Sequence, residues 1–147
     1  MCQEIRKTCH CGRKDAQFHL RDNVLSPEVI ENLYCPACSA GVDLNPDTMI
    51  TDNGWIIEYD MDLARFLLSS KLLLDRKQIR PGFLFDTGYA CWLEMYPGEK
   101  EDILAERAEI MKLQQRDPRQ YLQEISRWNI ERVERLKEEG WRKARAA

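Results

Sequence analysis

The sequence predicts an α+β chain, and three observations carry that reading. Four cysteines near the start fall into two pairs, Cys9-His10-Cys11 and Cys35-Pro36-Ala37-Cys38. Met49 to Tyr59 reads as two strand-like runs around Asn53-Gly54, the strongest short signal for a hairpin turn. From Asp62 onward the apolar period lengthens to that of a helix, and two charged amphipathic segments close the chain. The expected organisation is a cysteine-bearing module at 1–41, a hairpin-plus-helix core at 42–98 and a helical extension at 99–147.

Residues 1–8 read as a polar lead-in carrying Cys2. Ala16 to Leu20 alternates and predicts a short strand. Ser26-Pro27-Glu28 has the order of an N-cap, N1 and N2, predicting a short helix through about Leu33, with a strand over 24–34 as the alternative. Asp43 to Asp47 resembles the opening of a calcium loop, but Thr48 stands where such a loop needs Gly and Gly54 where it needs Glu, so a solvated turn is expected. Asp62 to Asp75 predicts a helix apolar on two sides: Leu63, Phe66, Leu67 and Leu74 on one face, Leu68 and Leu72 opposite. Asp60 and Asp62 suit its positive end.

Phe83 to Tyr96 is aromatic-rich, and the expectation there is a strand at 83–85 and a helical turn at 88–95, lining a pocket or filling the core. Trp55, Phe66, Leu67 and Trp92 are expected to share that core. A helix over about Lys100 to Gln115 carries Leu104, Ala108 and Met111 on one stripe. Asp117, Pro118 and Gln120 have the spacing of an N-cap, N1 and N3 for a last helix to about Glu139, with a frayed tail beyond Gly140. On that helix Leu122, Ile125, Val133 and Leu136 share a stripe centred on Asn129 and flanked by Tyr121 and Trp128. Such a stripe either folds back on the Leu104 face or pairs with a second copy or a partner subunit.

At 147 residues and 44% apolar content the chain is long enough for a real core. Its net charge of -3 argues against a general binder of polyanions. Residues 1–41 carry five acidic and five basic side chains, and residues 42–98 nine acidic and five basic. Residues 118–147 carry eight basic and five acidic, the only stretch suited to an acidic partner. Met1 to Lys14 has no apolar run of the kind that opens a secretory signal, and no cluster is long enough to span a bilayer, so a cytoplasmic setting is expected.

In a reducing compartment, paired cysteines more often hold metal than disulfides. Cys9 and Cys11 are also too close in sequence to bridge each other without strain. Two pairs on tight turns can offer four thiolates, from Cys9, Cys11, Cys35 and Cys38, to one tetrahedral ion. Zinc accepts four thiolates with no geometric penalty and would cross-link a segment too small to fold alone; iron in the same cage would be a redox centre. Cys-x-Cys-Gly with Cys-Pro-x-Cys resembles the zinc-ribbon or rubredoxin-like group of two-knuckle metal modules, over residues 8–41. It departs from the commoner pattern in having only His10 inside the first knuckle, and Gly41 three residues after Cys38.

His10 and His19 are the only histidines. His10 is expected to point away from the cluster. His19 is a candidate substitute ligand or supporting group, set against a plain packing role. Cys2 is a candidate ligand set against a free thiol. Cys91 beside Trp92 reads as a small buried hydrophobe, because a nucleophile would need a histidine base and both histidines lie in the cysteine-bearing module. No phosphate-binding glycine loop, zinc-protease helix or serine-nucleophile elbow is present. The expected role is therefore a non-enzymatic zinc-binding adaptor or accessory subunit contacting another protein, or a second copy, through the C-terminal helix. Rubredoxin-like electron transfer by iron and nucleic-acid-binding regulation are the rivals, the latter disfavoured by charge.

Overall fold

The structure, a computed structural model, describes residues 2–146. The chain is α+β and divides into two compact units, Met1–Pro97 and Gly98–Ala147. The expected module at 1–41 and the expected core at 42–98 lie together in the first unit.

That unit is built on two three-stranded antiparallel sheets. The first takes β1 (Gln3–Thr8), β2 (Asp15–Leu20) and β6 (Cys91–Trp92), in the order β1-β2-β6. The second takes β3 (Ile30–Tyr34), β4 (Met49–Asp52) and β5 (Trp55–Tyr59), in the order β3-β5-β4. Each sheet therefore joins a strand from before residue 41 to one from after it. β2 alternates as expected, with Ala16, Phe18 and Leu20 buried. The expected polar lead-in is corrected: it forms β1, which pairs with β2 from Gln3↔Leu20 to Thr8↔Asp15. As an edge strand it half-buries only Ile5 and Lys7, so it shows no apolar alternation.

The expected helix at Ser26–Leu33 is corrected. Only a single 3-10 turn forms, Pro27–Val29, without a side-chain cap from Ser26, and the chain then enters β3. Pairing of Leu33 with Ile57 of β5 outweighs the local helix-start signal. The β4–β5 hairpin is as expected: Asn53 (φ 49°) and Gly54 (φ 87°) both take the left-handed conformations that a two-residue turn of this kind needs.

α1 (Pro36–Ser39) is a single turn after β3. α2 (Met61–Leu72) begins at Asp60, whose carboxylate accepts the Leu63 N–H at 3.1 Å. The expected face of α2 is corrected: Met61, Ala64 and Leu68 are buried, and Phe66 is 61% exposed. Phe66 lies about 200° around the helix from Ala64, so one helix cannot bury both against the same sheet. Between Phe83 and Tyr96 the expected order is reversed. α3 (Pro81–Asp86) forms first, with Leu84 and Phe85 buried, and β6 follows. Trp92 is the hub of the core, its rings 5.1 Å from Phe18, 5.8 Å from Trp55 and 5.9 Å from Phe85. Its indole N–H donates to the buried carboxylate of Asp52 at 2.8 Å, and the Tyr59 hydroxyl donates to the Ala90 carbonyl at 2.7 Å.

The second unit holds α4 (Glu99–Met111), α5 (Leu113–Arg116), α6 (Pro118–Glu139) and α7 (Arg142–Ala146). α4 and α5 run along α6. Asp117 caps α6 as expected, accepting the Gln120 N–H at 3.1 Å. The indole N–H of Trp128 donates to Glu106 at 3.3 Å, Arg135 pairs with Glu106 at 2.9 Å, and Arg132 pairs with the buried Glu99. The Leu104–Ala108–Met111 stripe is exposed, so the first of the two alternatives for the α6 stripe, folding back on that face, is corrected. The frayed tail is also corrected. Gly140 (φ 92°) closes α6, the Trp141 N–H reaches back to the Leu136 carbonyl at 3.3 Å, and Trp141 and Ala144 are buried.

Candidate metal centre

The β1–β2 connection carries the first knuckle. The Cys9 N–H donates to the Lys14 carbonyl at 2.7 Å, and the Gly12 N–H to the Cys9 carbonyl at 2.8 Å. Gly12 takes φ 75°, where a side chain would be strained, so the loop turns tightly enough to set Cys9 and Cys11 side by side. The second knuckle leaves β3. Cys35 sits at the N-cap of α1, Pro36 starts the helix, and the Cys38 and Ser39 N–H groups both reach the Cys35 carbonyl at 2.9 Å. The His10 N–H donates to the Leu33 carbonyl at 3.0 Å and joins the knuckles.

The four thiols converge. Cys11 Sγ lies 3.5 Å from Cys9 Sγ and 3.8 Å from Cys35 Sγ, and Cys9 Sγ lies 3.6 Å from Cys38 Sγ. All four sulfurs fall within 4.8 Å of one another. A tetrahedral thiolate site with bonds of ~2.3 Å has sulfurs about 3.8 Å apart, whereas a disulfide brings them to about 2.05 Å. The observed separations match the first arrangement. The chain thus holds a cysteine cluster able to take a metal ion, with the donor set of a zinc-ribbon-like site.

Electrostatics around the sulfurs favour negative charge on part of the set. Cys11 is drawn down to about 6, first by the Arg13 amide and then by hydrogen bonds with Cys9 and Cys38. Burial opposes ionisation of Cys35, but the Cys38 amide and the Cys9 and Cys38 thiols outweigh it and its pKa falls. Cys38 is pushed up to about 12, first by its hydrogen bond with Cys11 and then by burial. The Cys35 N–H also donates to Cys9 Sγ at 3.0 Å. Cys9 and Cys35 are buried, Cys38 is half-buried and Cys11 is exposed.

The other candidates lie elsewhere. Cys2 is exposed just before β1, at the end of that strand away from the knuckle, six residues or ~20 Å distant. The exposed His10 sets its ring 5.8 Å from that of Tyr34. His19 is outside the cluster and pairs across the sheet with Cys91, so the expectation that Cys91 has no histidine nearby is corrected. Cys91 itself is 4% exposed and its thiol meets the Trp92 carbonyl at 3.3 Å. Only strand pairing between residues 72 apart brings this couple together, and no local spacing announces it. Asp43–Asp47 is the expected exposed turn, with Asn45 accepting the Asp47 N–H at 3.0 Å. Among the described residues no helix is long and apolar enough to cross a membrane. No family model, curated protein or solved structure matches the chain.

Proposed function

We propose that Cys9, Cys11, Cys35 and Cys38 hold one structural zinc ion, and that the chain is a non-enzymatic adaptor or accessory subunit of the cytoplasm. The near-tetrahedral spacing of the four sulfurs carries the metal reading. Four protein ligands close the coordination sphere and leave no position for a substrate, which favours a structural over a catalytic role. The knuckles belong to different sheets, so an ion between them would cross-link the β1–β2 hairpin to β3. Bound zinc would supply cohesion without redox chemistry. A rubredoxin-like iron site uses the same cage and is the second reading. The adaptor reading is supported by the apolar side chains left exposed in the helical unit, Leu104, Met111, Leu122 and Ile130. Charge disfavours nucleic acid, since residues 1–41 balance acids and bases.

Elemental analysis of protein purified without added metal tests the site. One zinc per chain is the expected result; a coloured, reversibly reducible iron protein would favour the second reading, and metal-free folded protein would defeat both. Light scattering and affinity capture with Leu122→Asp protein test the partner. That variant should stay folded and metal-bound while losing its assembly, and an unchanged assembly would remove α6 as the docking element.

A further inference from the structure

We propose that the first unit carries an anion site, separate from the cysteine cluster, for a small phosphate-bearing molecule. Asp47, Arg65, Arg76, Lys77 and Arg80 line an open cleft of about 400 Å³. Residues 42–98 are an acidic stretch with five basic residues, and four of those five meet at this cleft. The fifth, Lys71, is already engaged, its ammonium donating to the Val24 carbonyl at 3.0 Å and the Asn23 carbonyl at 3.5 Å. None of the four cleft cations makes a side-chain hydrogen bond or ion pair among the described residues. Four cations gathered around a single carboxylate, Asp47, repel one another, and a bound anion would relieve that cost.

The cleft is framed by ordered backbone. Arg65 is half-buried on α2. Arg76 and Lys77 sit on a 3-10 turn whose cap, Asp75, accepts the Lys77 N–H at 3.0 Å. Arg80 directly precedes α3 and follows Ile79, which is fully buried and pins the segment. Three guanidinium groups suit the planar, bidentate recognition of phosphate oxygens. The volume is that of a small-molecule site, while the charged lining suits a polar ligand. The cleft lining has no aromatic ring on which a base would stack, and the surrounding stretch is acidic, so a long polyanion would be repelled on leaving the cleft. Asp47 sets the sign of a second effect, because its carboxylate opposes a fully ionised phosphate.

This proposal is independent of which metal the cysteines hold. Its test is calorimetry and amide-shift titration of the intact, metal-loaded chain with inorganic pyrophosphate at about 0.15 M salt, where weak surface attraction is screened. Saturable binding of one pyrophosphate per chain is expected, moving the amides of residues 47, 65 and 75–80. Arg76→Gln and Arg80→Gln, both at exposed positions, should each weaken binding about tenfold, and Asp47→Asn should strengthen it about threefold. Absence of saturation by about 10 mM pyrophosphate, or equal affinity in all variants whose spectra show the native fold, would overturn the proposal. Tighter binding of a single-stranded oligonucleotide at the same amides would also overturn it, in favour of a nucleic-acid surface.

Discussion

The two units of the chain are held together by different means. The first buries a connected aromatic cluster, with Trp92 touching Phe18, Trp55 and Phe85, under strands paired over long sequence distances. The second buries little beyond Leu136, Trp141 and Ala144, and relies on caps and charged pairs such as Asp117–Gln120 and Arg135–Glu106. The contrast teaches where robustness should lie. Aromatic burial and a shared cysteine cluster tie the first unit together, whereas caps and ion pairs of about 1 kcal/mol each leave the helices susceptible to small changes.

The strongest way to break the contrast is to remove the cage. Cys35→Ser protein, or protein treated with a tight chelator, should lose its metal and the ordered packing of both knuckles. Structural zinc in small modules is worth on the order of 10 kcal/mol. The far-UV helical signal of the second unit should survive. Full metal content in the variant would show that Cys35 is not a ligand.

Next in size is the aromatic hub. Trp92→Ala should cost the first unit about 3–5 kcal/mol, because it opens a cavity and removes the indole N–H that donates to the buried Asp52 carboxylate. Denaturant unfolding followed by tryptophan emission and by helical circular dichroism would separate the two units. Phe66→Ala is the matched control: Phe66 is 61% exposed, so its truncation should change stability by less than ~0.5 kcal/mol. A large effect there would mean that α2 packs through its other face.

Smaller again is the cap of α6. Asp117→Ala should cost about 1 kcal/mol, read as earlier thermal loss of helical signal with the first unit unmoved. The smallest effect concerns Glu106, whose carboxyl is held below its ordinary value by the hydrogen bond from Arg135, against a lesser opposing effect of burial. A depressed folded-state pKa means that the contribution is fully present above the ordinary carboxylate range, near 4.5, and fades as pH falls through the lower folded value. Melting of the helical unit should therefore lose stability below about pH 4.5, and Glu106→Gln should flatten that slope. An unchanged slope in the variant would place the acid sensitivity elsewhere.

Much of this molecule was legible in local spacing. Asn53-Gly54 has few options besides a tight hairpin turn, because both residues must enter left-handed backbone. Asp60 and Asp117 declare helix starts, because a carboxylate there satisfies a free amide. Two cysteine pairs, each within one turn, declare a four-sulfur cluster, because knuckle geometry is set within a few residues. The tertiary structure alone decided what depends on distant partners. β1 is a strand because β2 lies beside it, and Cys91-Trp92 is a strand because Phe18 and His19 pair with it. Phe66 is outside because periodicity measures the angle between side chains on a helix, not the direction of the sheet. The gathering of Arg65 with Arg76, Lys77 and Arg80 likewise needs the chain to turn back after α2, which no charge count along the sequence can reveal.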